Sequence, residues 1–214
     1  METLLTEDGS FTLRSEKFGE TYHSIYGARS ESEHVFLSAG YSRVKKNPVS
    51  VLEMGFGSGM NAWLTCMEAQ RNQQLTFYTA LELYPLTEEL WTGLNEGRTG
   101  EDSRCFLQIH NAPWETFSSL NPFFRLRKIR VDFSSWGMDQ SFDVVYFDAF
   151  SPEIQPELWV ESLFSAIKDH MNEGGVLTTY CAKGAVRRIL QSLGFTVERI
   201  PGPRGKREMI RASV

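Results

Sequence analysis

Cysteine and histidine are sparse in this sequence, with three Cys and four His among 214 residues. Cys66, Cys105 and Cys181 are odd in number and far apart, with no Cys-x-x-Cys pair, which argues against both a disulfide framework and a zinc site. His23, His34, His110 and His170 are equally scattered, so no metal is expected. No run approaches the ~18 consecutive apolar residues that a membrane span needs, so no membrane association is expected. The opening Met1-Glu2-Thr3-Leu4-Leu5-Thr6-Glu7-Asp8 is acidic and has neither a basic n-region nor a long apolar h-region. It does not read as a signal peptide, and the cytoplasm is the expected compartment. Internal repeats and low-complexity tracts are missing as well.

What is present suits one folded domain. Apolar side chains make up 41% of the chain, with five Trp, seven Tyr and fifteen Phe, too many for a disordered chain. Charge is unevenly placed. From Lys183 onward eight bases face two acids, a balance of +6, which leaves -11 for the remainder of a chain whose total is -5. The carboxyl-terminal part is therefore a candidate polyanion contact, with a solvated charged face as the plain alternative.

Residues 1–48 are rich in Gly, Ser and Tyr with weak periodicity and are expected to form a small β-type cap, Phe11 to Arg14 being a candidate strand. From Val49 strands and helices alternate, the pattern of βαβ units, so residues 49–214 are expected to be a doubly wound α/β domain of Rossmann-like type. Strands are expected at Val49–Met54, Leu75–Leu81, Phe124–Val131, Phe142–Phe147 and Val176–Tyr180. Two closing strands are expected near Phe195–Ile200 and Arg207–Ala212. Met60, Trp63, Leu64 and Met67 form one helical stripe. Val160, Leu163, Phe164, Ile167 and Met171 form a second, stopping at Gly174-Gly175; Val186, Ile189, Leu190 and Leu193 form a third. A helix is expected near Thr87 to Asn95, and the region through Asn121 gives no clear pattern.

Gly55-Phe56-Gly57-Ser58-Gly59 lies between an expected strand and an expected helix, where glycines permit a tight turn and close approach of a ligand. A dinucleotide fingerprint needs glycine at position 60, where Met60 stands, so Gly55, Gly57 and Gly59 fit a methyltransferase loop better. Glu53 is expected to meet the ammonium of a methionine moiety. Glu82, 27 residues after Gly55, is expected to accept ribose hydroxyls, since an ionised acid is purely an acceptor. Asp132 is expected to end the strand at Phe124–Val131 and to lie on the same edge, accepting from an adenine amino group. Ordinary strand-end acids are the alternative for Glu53 and Glu82, and a plain turn aspartate for Asp132.

Asp148-Ala149-Phe150-Ser151-Pro152, with Pro156-Glu157-Leu158-Trp159 behind it, follows the strand at Phe142–Phe147. It resembles the Asp-x-Phe-x-Pro…Pro-x-x-Trp signature of the methyltransferase half of the bifunctional tRNA 5-methylaminomethyl-2-thiouridine enzymes, the MnmC family. Tyr22-His23-Ser24 through Glu31 to His34-Val35-Phe36-Leu37, the block from Glu53 to Asn61, and Glu82-Leu83-Tyr84-Pro85-Leu86 also look like blocks of that family. Val186-Arg187-Arg188, Gly194-Phe195 and Lys206-Arg207-Glu208-Met209 follow in order. The likeness runs from Tyr22 to Met209 and is weakest between Thr87 and Arg130. Glu153-Ile154-Gln155 departs from a more usual Ala-Lys-Asn.

The resemblance implies a class I methyltransferase sheet, S-adenosyl-L-methionine as cofactor and tRNA as partner. It implies N-methylation of 5-aminomethyluridine, or its 2-thio form, at the wobble position. Family members also carry an FAD-dependent half, for which 214 residues leave no room. Asp148 is then the expected catalytic residue, orienting the amine and accepting its proton. Asn61 joins the expected cofactor residues. Phe150 and Pro152 are expected at the substrate, and Arg187, Arg188, Lys206 and Arg207 at tRNA phosphates. A nicotinamide-dependent oxidoreductase, a non-catalytic RNA-binding module and a methyltransferase acting on some other amine are the competing readings.

Overall fold

Buried runs such as Val49–Met54 and Phe142–Phe147 can satisfy their backbone only inside a sheet covered on both faces. The computed structural model, which describes residues 1–214, shows this. The elements are β1 (Glu2–Leu5), β2 (Phe11–Arg14), α1 (Ala28–Ser32), β3 (Val49–Met54), α2 (Met60–Asn72), β4 (Thr76–Leu81), α3 (Glu88–Gly93), α4 (Gly100–Asn111), β5 (Phe117–Asn121), β6 (Phe124–Ile129), β7 (Phe142–Phe147), α5 (Glu161–Asp169), β8 (Met171–Thr179), α6 (Gly184–Ser192), β9 (Thr196–Pro201) and β10 (Glu208–Ser213). No helix is long and apolar enough to cross a membrane.

Eight strands form one sheet in the order β5-β6-β4-β3-β7-β8-β10-β9. β6, β4, β3, β7 and β8 pair in parallel. β10 is antiparallel to both β8 and β9, and β5 is antiparallel to β6. The chain winds outward from β3 through β4 to β6, then returns to β3's other side with β7. The crevice at this switch point, at the carboxyl ends of β3 and β7, is where open α/β sheets bind ligands.

Side chains alternate across the sheet. Val49 and Val51 face α2 and α4 in one core, with Tyr78, Phe106, Phe124 and Tyr146. Leu52 and Met54 face the other core, with Phe147, Phe164, Val186 and Leu190 from β7, α5 and α6. The same parity puts Glu53 with Val49 and Val51, under α2.

The amino-terminal segment is only partly β. β1 and β2 form an antiparallel hairpin. They are followed by α1, which continues as a π-helical turn over Glu33–Ser38. Leu13, Ala28, Val35, Phe36 and Tyr41 pack into the same core as β3 and α2.

Two expectations need correction. The stripe assigned to one helix up to Gly174-Gly175 breaks at Asp169, and Met171, Gly174 and Gly175 lie in β8. The register of β8 against β7 shifts there, and Gly174 takes a φ of 72°, so the glycines accommodate a bulge within the strand. Asp132 does not end β6, which stops at Ile129; it caps a short 3₁₀ turn, accepting from Ser134 N at 2.9 Å. α4 and β5 fill the stretch that gave no clear pattern. Only Cys105, Phe106 and Ile109 of α4 are buried, and β5 is an edge strand carrying Ser118 and Ser119.

Candidate active site

A cavity of about 620 Å³ opens at the carboxyl edge of the parallel strands, within the usual range of ~300–1,000 Å³ for small-molecule sites. Each strand sends one feature to its wall: the glycine loop after β3, Glu82 after β4, Asp132 after β6, Asp148 after β7 and Tyr180 after β8. The amino-terminal segment closes the opposite side with Lys17, Phe18, Tyr22 and His23.

The loop is shaped to lie against neighbouring backbone. Gly55 has a φ of 100°, and a Cβ there would stand 2.5 Å from the Asp148 carbonyl oxygen. Gly55 N and Phe56 N both donate to Leu81 O, at 3.1 and 3.0 Å, tying the loop to the end of β4. At Gly57, with φ 48°, a Cβ would come within 2.9 Å of the Tyr22 ring. Gly59 lies at the start of α2, facing His110 rather than the cavity.

Glu82 is held by backbone donors. Gly57 N donates to one oxygen at 2.9 Å and Tyr84 N to the other at 2.8 Å. Burial pushes its carboxyl above the ordinary value, and these donors oppose the shift. An acid fixed in this way can take ribose hydroxyls without reorganising. Asp132 has one oxygen committed to Ser134 and the other without a partner in the fold.

Asp148 accepts from Asn61 Nδ2 at 2.8 Å. Burial pushes its carboxyl up to about 7; the Asn61 donor opposes this, the Glu31 charge adds to it, and the Lys206 charge opposes it. Phe150 packs against Phe18 and Tyr22, with ring centroids 4.5 and 5.2 Å away. Its loop is tied down by Trp159 Nε1 donating to Phe150 O at 2.8 Å and Phe150 N donating to Gln155 Oε1 at 3.1 Å. Ser151 Oγ donates to Glu20 in the amino-terminal segment.

The structure brings Gly55, Gly57, Glu82, Asp132, Asp148, Phe150 and Lys206 to the cavity and leaves the other expected residues off its walls. Glu53 is 0% exposed, and Asn61 reaches the site only through Asp148. Pro152, Arg187, Arg188 and Arg207 lie outside the lining, the two helical arginines on α6. Lys206, expected at a phosphate, instead points inward: its ammonium pairs with Glu31 at 2.8 Å and lies 3.9 Å from the Tyr180 ring centre.

Tyr22, His23, Glu31 and Tyr180 also build the site but were not singled out individually. His23 Nε2 meets Ser58 Oγ at 2.7 Å, joining the amino-terminal segment to the glycine loop, and burial keeps its ring neutral by lowering its pKa. Glu31 also accepts from Ser24 N. The block from Tyr22 to Glu31 carried a signal for three of them; Tyr180, at the end of an ordinary apolar strand, carried none.

Comparison with known proteins places these features in context. Residues 127–214 match the profile of a family described as S-adenosyl-L-methionine-dependent methyltransferase. Two curated relatives carry the name tRNA 5-methylaminomethyl-2-thiouridine biosynthesis bifunctional protein MnmC. The one from Marinomonas sp. is 30% identical over 95% of this chain and 32% of its own length. The one from Hahella chejuensis is 30% identical over 91% of this chain and 34% of its own length. The chain thus spans about a third of the curated relatives it matches. The crystal structure of MNMC2 from Aquifex aeolicus superposes with a TM-score of 0.80 at 26% identity, covering 99% of this chain and 70% of that one. The sheet is that of a class I methyltransferase, mostly parallel, with a small two-stranded sheet at the amino terminus.

Proposed function

We propose that this chain is an S-adenosyl-L-methionine-dependent methyltransferase of the MnmC2 kind that methylates the amine of 5-aminomethyluridine, or its 2-thio form, at the tRNA wobble position. The observation that carries this reading is the placement of Asp148 in the same cavity as the Gly55–Gly57 turn and Glu82.

S-adenosyl-L-methionine supplies a methyl group on a sulfonium, open to in-line attack by a neutral amine. The cavity residues fit such a cofactor, with Gly57 leaving room beside Tyr22, Glu82 set to accept ribose hydroxyls, and Asp132 offering a further acceptor. An alkylamine with a pKa of ~10 is mostly protonated at neutral pH, at a cost of ~1.4 kcal/mol for each unit it must be shifted. Asp148, with its carboxyl pushed up to about 7, is matched to accept that proton and hold the freed amine by hydrogen bonding. No covalent enzyme intermediate is needed, so positioning and exclusion of water supply most of the acceleration.

The rim suits an unstacked base better than a duplex. Lys17 Nζ sits 3.2 Å from the centre of the Tyr84 ring, which is 44% exposed. Arg204 lies 5.9 Å from the Tyr26 ring, itself 42% exposed. Arg187, Arg188 and Arg207 then serve phosphates farther along the tRNA. Nucleoside mass spectrometry of tRNA from cells with and without the gene tests the reading. Loss of the gene is expected to replace the methylaminomethyl nucleoside by its aminomethyl precursor; an unchanged profile would reject the proposal.

A further inference from the structure

The strand order sorts the cavity into two halves. Along the sheet, β6, β4 and β3 carry Asp132, Glu82 and the glycine loop, and β7 then carries Asp148. Beyond Asp148, β8 carries Tyr180 and the turn before β10 carries Lys206, both on the cavity wall. The proposed cofactor residues thus lie on one side of Asp148, and Tyr180 and Lys206 on the other. A molecule whose amine reacts at Asp148 while the cofactor fills the first half has the second half for its own body.

Lys206 is set firmly in that second half. Its turn is closed by Lys206 N donating to Pro203 O at 2.9 Å and by Gly202 N donating to Arg207 O at 3.2 Å. Gly205, at φ 88°, lies against the Tyr26 ring with no room for a Cβ. His34 Nε2 meets Pro201 O at 2.8 Å, tying the strand before the turn to the π-helical turn after α1. The Lys206 ammonium pairs with Glu31 at 2.8 Å, and Glu31 is itself held by Ser24 N at 2.7 Å. The ammonium also stands 3.9 Å from the centre of the Tyr180 ring, whose hydroxyl donates to Ala149 O at 2.9 Å, one residue from Asp148. An ammonium has three donors and Glu31 takes one. The side chain stays 35% exposed, so donor capacity remains for a ligand in the cavity.

In 5-aminomethyluridine the ring carbon that bears the aminomethyl arm is bonded to the carbonyl carbon C4. A base that presents its amine to Asp148 therefore presents O4 close beside it. Cytosine carries an amino group at that place, which would set N–H donors against an ammonium that has only donors. We propose that Lys206 is a specificity-determining residue that donates to O4 of the target uracil and so selects it over cytosine, with Glu31 and Tyr180 as positioning residues that hold the ammonium. The proposal rests on the reading of the substrate as an aminomethyluridine. It replaces the expectation of a phosphate contact at Lys206. The Glu31 carboxylate beside the ammonium repels a second anion, whether phosphate or cofactor carboxylate, whereas a neutral carbonyl meets no such repulsion.

The test measures binding by fluorescence anisotropy, with the full chain saturated with S-adenosylhomocysteine. The probes are labelled anticodon stem-loops whose target nucleoside is 5-aminomethyluridine or 5-aminomethylcytidine. The wild type is expected to bind the uridine form at least ~10-fold more tightly, and Lys206→Met to bind the two within ~3-fold of each other, the loss falling on the uridine form. Lys206→Arg, which keeps charged donors, is expected to retain the preference for uridine. Lys206→Met leaves the buried Glu31 without its cation, so the double variant Glu31→Gln, Lys206→Met is measured beside it and decides if the single variant does not fold. A wild type without preference, or variants that keep the wild-type preference, would overturn the proposal. An equal loss on both stem-loops also overturns it, since that assigns Lys206 to phosphate or to the fold. Loss of S-adenosylhomocysteine binding in the variants does the same by assigning the ammonium to the cofactor. None of these readouts needs methyl transfer, so a wild type that prefers the uridine form but transfers no methyl group would fail the functional reading separately.

Discussion

Asn61 Nδ2 and Asp148 Oδ2 are 2.8 Å apart, a hydrogen bond that joins the first turn of α2 to the loop leaving β7. It holds an acidic side chain whose affinity for protons is tuned toward neutrality. Burial, as the largest cause, sets that value at about 7. The proposed acceptor must be ionised to take a proton, so the rate of methyl transfer is expected to rise with pH through a midpoint near 7 and then level off. A pH profile of kcat with saturating cofactor checks this; a flat profile from pH ~5 to ~8 contradicts it.

The same group has an effect on stability with a definite sign. Between 3.8, the ordinary aspartate value, and about 7 the folded protein keeps a proton that the unfolded chain has released. Stability is therefore expected to fall as pH rises through that window, and Asp148→Asn is expected to remove this part of the slope. Denaturant titrations of both proteins across that range provide the check.

Glu82 should matter to the cofactor through two donors at once. Glu82→Ala strands Gly57 N and Tyr84 N and removes the proposed ribose acceptor. The dissociation constant for S-adenosylhomocysteine is expected to rise ~10- to 100-fold, corresponding to about 1.4–3 kcal/mol. Isothermal titration calorimetry measures it, and an unchanged constant removes Glu82 from the cofactor site.

Gly55→Ala is expected to be the most damaging change in the loop. Its Cβ would meet the Asp148 carbonyl oxygen at 2.5 Å in a backbone conformation with φ 100°. A loss of roughly 2 kcal/mol or more in stability is expected, with a lowered Tm in calorimetry. A Tm equal to that of the wild type would show that the loop relaxes freely.

The two groups of basic residues should separate by assay. Lys206 faces the cavity, so Lys206→Ala is expected to slow transfer even to a minimal nucleoside or anticodon-loop substrate. Arg187→Ala and Arg188→Ala, on α6 away from the cavity, are expected to weaken full-length tRNA binding and reduce its salt dependence, with little change on the minimal substrate. Equal effects in both assays would argue against this division.

How far the sequence reveals this site depends on the range of the signal. Gly55, Gly57, Glu82 and Asp148 follow buried strands whose apolar runs are legible, and strand ends in a parallel sheet meet at one edge whatever the loops do. Glu53 lies off the cavity lining for an equally local reason. A strand-end acid reads as edge-directed until the period of two is followed back through Val51 and Val49 to the face under α2. Lys206 could not be placed from sequence. It reads as one base in a basic tail, and only the packing of the β9–β10 turn against α1 turns it toward Glu31. α4 and β5 were obscured because each buries a single narrow face.

Methyl transfer in vitro tests the central claim most directly. The protein is incubated with methyl-labelled S-adenosyl-L-methionine and tRNA bearing aminomethyluridine, and the tRNA is digested and its nucleosides separated. Label is expected in the methylaminomethyl nucleoside. It should fall by at least ~100-fold in Asp148→Asn while S-adenosylhomocysteine still binds that variant with nearly wild-type affinity. No label from the cofactor-bound wild type, or undiminished label from Asp148→Asn, would contradict the account.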